Sequence, residues 1–180
     1  MKVAVLAGGV GGARLCDGLF RLSGTGLDLN FVVNTGDDFC LHGLSISPDL
    51  DTVLYTVAGW ANPEQGWGLK QESWNCAEQL QALGGEIWFR LGDRDLATHL
   101  FRSQCLAQGL TLTQLTSRLC QSAQLPPDLI LPMCDRAVPT RVRTQDGWLD
   151  FQDYFVRRQH RDRVLECRYE GTAQTPPPSQ

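Results

Sequence analysis

Four aspartates crowd the stretch NTGDDFCLHGLSISPDLD between Asn34 and Asp51. Carboxylates this close need a cation, hydrogen-bond donors or water to offset their repulsion. The adjacent pair Asp37 and Asp38 suits a Mg²⁺ ion that keeps several of its waters. Asp49 falls at a helix start and is accounted for by capping and the helix dipole. Asp51, further in, is left to accept a hydrogen bond from a substrate hydroxyl. A second charged set lies in FRLGDRDLATH, residues 89–99. There Arg90 offers a planar cation for a phosphate or a polar ring. Asp93, Arg94 and Asp95 read as helix-capping residues that pair with one another at the surface. His99 has no nearby carboxylate partner in this reading and is expected to be structural. The third set is GGVGG, where Gly8, Gly9, Gly11 and Gly12 would let the backbone approach a phosphate. It lacks the spacing of a dinucleotide fingerprint and the Lys-Ser/Thr of a P-loop, so a plain glycine turn is an equal reading.

The elements that must position these residues follow from periodicity. Lys2 to Ala7 is a short apolar run, read as a buried parallel strand. The glycines form a turn, and Leu15, Leu19 and Leu22 mark a helix from Ala13 that stops at Gly24–Gly26. Leu29 to Asn34 is the next strand, completing a βαβ unit that puts NTGDD at a strand's carboxyl end, where α/β folds bind ligands. Ser47 and Pro48 start a helix, with Ser47 as its cap. Further helices are expected over residues 72–83, from Gly92 to about Gln108, and from Thr111, whose capping box uses Gln114. Ile87 to Arg90 reads as a short strand. Leu129 to Leu131 is another parallel strand, and 138–144 pairs with 148–151 as a hairpin across Asp146-Gly147. Residues 151–158 fit helix or strand equally, and 164–169 reads as strand. The order implies an α/β fold: a Rossmann-like three-layer parallel sheet, with a largely helical insertion over about 48–125. Residues 171–180 have the composition of a disordered tail.

The 180 residues suffice for one domain with a full core. Net charge is −4, and the acidic first hundred residues argue against a nucleic-acid partner. Seven cysteines, with no metal or redox spacing, suggest free thiols in a reducing cytoplasm. No stretch is long and apolar enough to cross a membrane.

Set side by side, AGGVGGARL, NTGDD, GLSISPDLDTVLYTVAG, GWG, WFRLGDRDLATHLFRS, LPMCD and FQDYFVRR are collinear from Met1 to about Tyr169. In this the chain resembles the 2-phospho-L-lactate transferase family of deazaflavin coenzyme biosynthesis. The resemblance spans the whole chain but only the N-terminal half of the family pattern, so residues 1–170 would be the N-terminal part of a transferase domain. It implies attack by the terminal ribityl hydroxyl of the deazaflavin alcohol Fo on a lactyl (or phosphoenolpyruvyl) guanosine diphosphate, with Mg²⁺ assistance and release of GMP. Carried over by position, Asp51 and Arg90 would contact Fo, Asp51 would orient the attacking hydroxyl, Asp37 and Asp38 would hold the metal, and Gly8 to Gly12 would lie along the donor phosphates. The partners implied are small molecules, and a homodimer is compatible with them. Two other readings stand beside it: a half-protein that binds Fo without transfer, and a sugar-nucleotide-binding module of the gluconeogenesis-factor type. The latter carries a Ser/Gly-rich segment where this chain has FCLHGLSISPDLD.

Overall fold

The computed structural model describes residues 1–23 and 26–171. Strand β1 (Lys2–Ala7) leads into helix α1 (Gly9–Arg21), and β2 (Asp28–Val33) returns parallel to β1 with Ala7 opposite Val33. The helix begins four residues earlier than its leucine spacing implies, because Gly9, Gly11 and Gly12 form its first turn. Of the glycines expected to stop it, Gly24 lies outside the described residues.

The acidic stretch after β2 is not a continuous loop. It contains a hairpin of β3 (Phe39–Leu41) and β4 (Leu44–Ile46), closed by His42 and Gly43 with φ of 53° and 77°. Two successive positive φ values give the tight turn whose twist suits paired strands. Three-residue strands with a His-Gly turn leave too short an alternation to be read from sequence. Helix α2 (Pro48–Val57) follows, then α3 (Asn75–Ala82), α4 (Asp93–Ala107) and α5 (Leu112–Ser122). The strand expected at 87–90 is absent; that segment is irregular and supplies Trp88 and Phe89 to a small apolar cluster with Leu41, Ile46 and Leu91.

Strand β5 (Ile130–Pro132) pairs parallel with β2, giving the order β1-β2-β5. Both crossovers step the same way across the sheet, and right-handed connections then lay their helices on one face. Burial agrees. Phe31, Val33 and Ile130 are fully buried against α1, α2 and α5, with Val3, Val5 and Ala7 packed beside them. The other face of β1 is open, and Leu6 there is 81% exposed. The hairpin predicted at Asp146-Gly147 is present as β6 (Thr140–Thr144) and β7 (Gly147–Asp150), and β8 (Glu166–Tyr169) adds to β6. Residues 151–158 resolve as helical, with a π-type turn over Asp153–Arg157. Of the expected tail, 172–180 lies outside the described residues. All seven cysteines are free, and no described helix is long and apolar enough to cross a membrane.

Candidate active site

The glycine turn and the acidic stretch meet, in a way that local capping rules do not anticipate. Asp49 sits in the first turn of α2, but its carboxylate serves α1: Gly9 N–H donates to Oδ1 at 2.8 Å. Asn34 Nδ2 donates to Oδ2 at 3.0 Å and accepts Gly36 N–H on its own Oδ1 at 2.9 Å. A carboxylate at a helix N-terminus is favoured by the same donors and dipole that would hold a phosphate. Gly8 is therefore committed to close approach, and Gly12 packs on Ala7. A Cβ on Gly8 would lie 2.8 Å from Asp49 Oδ2, and one on Gly12 would touch Ala7 at 3.4 Å. Gly9 and Gly11 have open space beside them.

Asp37 and Asp38 are neighbours in sequence with separate surroundings. Asn34 Nδ2 reaches Asp37 Oδ1 at 3.3 Å and Gln152 Nε2 reaches Oδ2 at 3.4 Å, both long. Burial, then the charge of Asp49, pushes the Asp37 carboxyl up to about 6. Asp38 Oδ2 accepts the Ser47 hydroxyl at 2.8 Å, while Oδ1 is buried with no hydrogen-bond partner. Burial pushes Asp38 up to about 8, against the pull of Ser47 and Arg102. The hydroxyl of Ser47, expected to cap α2, is thus spent on Asp38, and α2 has no side-chain cap. Two carboxyls that the protein leaves undercompensated, one with an orphaned oxygen, fit a hard divalent cation that takes oxygen ligands.

Asp51 and Arg90 come together on one cavity of about 430 Å³, also lined by Trp67, Trp88, Phe89 and Phe155. Trp88 and Phe89 belong to an aromatic set with Phe39 at ring-centroid distances of 4.9 to 6.1 Å, Phe89 standing edge-on to the other two. The Arg90 guanidinium carbon lies over the Trp74 ring, 4.3 Å from its centroid. The cavity joins a broad aromatic wall to a few charged groups, as binding sites for flat polar ligands do.

Asp51 itself is buried and held by α4. Arg102 Nη2 donates to its Oδ1, and the pair is almost wholly withdrawn from water. Burial pushes the Asp51 pKa up, while Arg102 and then His99 pull it back. His99 lies beside the same carboxylate, its Nδ1 3.7 Å from Asp51 Oδ2 and its Nε2 3.4 Å from Asp95 Oδ1. Asp95 Oδ1 also accepts from the Tyr55 hydroxyl at 2.7 Å. The His99 reading is therefore corrected: it has two carboxylates facing it. One of them, Asp95, stands at the i, i+4 helical spacing, a signal present in the sequence. Arg102, one further turn along, carried no such signal.

The caps of α3 and α4 are also crossed rather than local. Asp93 accepts from Ser73, from the side chain and N–H of Asn75, and from Cys76 N–H at 2.7 to 3.1 Å. Those bonds, led by the Cys76 N–H, hold its carboxyl down at about 2. In exchange Glu72 accepts from the N–H groups of Arg94 and Asp95 at 2.9 and 2.8 Å. Asp93, Arg94 and Asp95 do not pair with one another as expected; they fasten α4 to the segment before α3. Two arginines near the C-terminus are paired too, Arg157 with Glu86 and Arg158 with Asp146 and Asp162.

The family model described as 2-phospho-L-lactate transferase CofD matches residues 3–180. Phosphoenolpyruvate transferase of Kitasatospora aureofaciens is 46% identical over 162 residues, covering 87% of this chain and 50% of that protein. The protein of the same name from Mycolicibacterium smegmatis is 43% identical over 189 residues, covering 97% of this chain and 58% of its own length. The chain thus spans about half the length of the curated relatives it matches. Among solved structures, protein BH3568 of Bacillus halodurans superposes with a TM-score of 0.61 at 15% identity, over 98% of this chain and 53% of that one. A likeness at that identity speaks to the fold alone.

Proposed function

The chain belongs to the CofD family of 2-phospho-L-lactate transferases, and on that premise we propose that it forms the acceptor side of a transferase. In this reading a 2-phospho-L-lactyl or phosphoenolpyruvyl group passes from a guanosine diphosphate donor to the deazaflavin alcohol Fo, releasing GMP in the cytoplasm. The single observation that carries the reading is the convergence of Asp51 and Arg90 on one aromatic-lined cavity. The aromatic side chains would stack on a planar ring system, and Arg90 would face its polar edge. Asp51 would then lie at the end of the ribityl chain. The hydroxyl oxygen forms the new bond to phosphorus, the phosphorus–oxygen bond to GMP breaks, and the hydroxyl proton passes to Asp51. A carboxylate whose pKa burial has raised is suited to that exchange.

Asp37 and Asp38 would hold a Mg²⁺, which when bound supplies charge neutralisation for the diphosphate of the donor. The open flanks of Gly9 and Gly11 are where the donor phosphates would run, Gly8 being committed to Asp49 and Gly12 packing on Ala7. A second reading, Fo binding without transfer, is favoured by one observation: the α1 N-terminus already holds a carboxylate at Gly9. Purified protein incubated with Fo, donor and Mg²⁺ separates the two. Product and GMP, both lost in Asp51→Asn, support transfer. No product together with a saturable change in Fo fluorescence, weakened by Arg90→Ala, supports binding alone. Neither signal would refute both.

A further inference from the structure

Beside Asp51 the chain buries more polar machinery than contact with a ligand requires. His99 and Arg102 are 2% and 1% exposed. Arg102 bonds Asp51 Oδ1, reaches the Ser45 carbonyl at 3.4 Å, and lies 3.0 Å from His99 Nδ1 through Nη1. A guanidinium only donates. His99 Nδ1 is therefore the acceptor, and the ring hydrogen sits on Nε2, which lies 3.4 Å from Asp95 Oδ1 and is itself buried without a hydrogen-bond partner. Nδ1 has no hydrogen left for Asp51, so Asp51 Oδ2, 3.7 Å away, is buried without a hydrogen-bond partner.

Ligand atoms of Asp51, Asp95 and His99 lie within 4.8 Å of one another, a spacing that a metal ion would accept. Arg102 competes with an ion for this cluster. Arg102 already supplies the positive charge on Asp51 and occupies the Nδ1 lone pair, and Nε2 carries the hydrogen. No imidazole lone pair remains.

We propose that Arg102 and His99 are positioning residues for Asp51. Arg102 anchors Oδ1 and, through Nδ1, fixes the tautomer of His99, so that Oδ2 stays the Asp51 oxygen without a hydrogen-bond donor, the oxygen that receives the acceptor hydroxyl. Tyr55 completes the set by holding Asp95 in front of Nε2, and Asp38 is the other carboxyl that faces Asp51. This rests on the transfer reading above, and its test has a readout that does not. Long-range ¹H–¹⁵N spectra of the ¹⁵N-labelled chain report which nitrogen of His99 is protonated. The Nε2–H tautomer is expected in the wild type. An Nδ1–H tautomer, or rapid averaging of the two, would overturn the proposal whether or not the chain transfers anything.

The kinetic arm compares His99→Leu with His99→Asn, whose amide oxygen can still accept from Arg102. His99→Leu should lower kcat about 100-fold, as a displaced reacting group does, with KM for the acceptor alcohol within about twofold. His99→Asn should recover most of that loss. Equal losses in both variants with a raised KM would make His99 a structural residue and sink the idea. If the wild type gives no product, the transfer reading fails, and the spectra alone decide the positioning.

Discussion

Arg102 is the residue whose removal should cost most. Arg102→Met keeps the length of the side chain but leaves Asp51, the Ser45 carbonyl and His99 Nδ1 without a donor. Asp51 is 5% exposed, so water cannot take over. Removing one partner of a buried ion pair costs about 3–5 kcal/mol, because the remaining charge is stranded. For a chain of this size that corresponds to a fall in Tm of roughly 6–20 °C. The sign with pH follows from Asp51. Its folded pKa is raised, so the cost is small where the carboxyl is protonated and grows as pH rises through that folded pKa. Urea unfolding of Arg102→Met, Asp51→Asn and the double variant as a function of pH measures this. The double variant should recover most of the Arg102→Met loss, since neither charge remains. A cost under about 1 kcal/mol for Arg102→Met, or strictly additive losses, would refute the stranded-charge argument.

Three further outcomes are expected. Asp37 and Asp38 must be ionised to take a divalent cation. With carboxyls pushed up to about 6 and about 8, Mg²⁺ affinity should rise from pH 6 to pH 8.5 with proton release, measurable by calorimetry in buffers of different ionisation heat. Without the ion, these two groups favour the folded state most below pH 4 and progressively less as pH passes 6 and then 8. Gly8→Ala sets a Cβ against the carboxylate that caps α1 and should cost about 1–3 kcal/mol, whereas Gly11→Ala, in open space inside the helix, should stabilise by about 0.5–1 kcal/mol in thermal melts. Thr111→Ala removes one arm of a capping box in which both reciprocal bonds are made, and should cost about 1 kcal/mol by chemical denaturation.

Several features encoded within a few residues were legible. The apolar runs of β1 and β2, the Pro48 helix start, the Thr111–Gln114 capping box and the Asp146-Gly147 hairpin each depend on neighbours along the chain. Each is found where its pattern put it. The candidate acceptor pair was legible in a different sense. Family resemblance pointed to Asp51 and Arg90, and the fold brings them to one cavity.

Helix α4 shows where local reading stops. It exposes Leu100 and Phe101 at 53% and 40% while burying His99 and Arg102, an inversion of the usual apolar face. No periodicity argument places an arginine inside. It is stable there because Asp51, on another helix, neutralises it and the Ser45 carbonyl and His99 accept from its Nη1, although Nε stays buried without a partner.

The acidic stretch makes the same division. Its sequence alone determined that four carboxylates stand between the end of a strand and the first turn of a helix and must be compensated. Only the tertiary structure decided how: Asp49 by the N–H of Gly9, Asp51 by Arg102, Asp38 by Ser47, and Asp37 by two long amide contacts. The reason is physical. A carboxylate's charge is a local fact, but the donor that meets it is whichever one folding brings within about 3 Å.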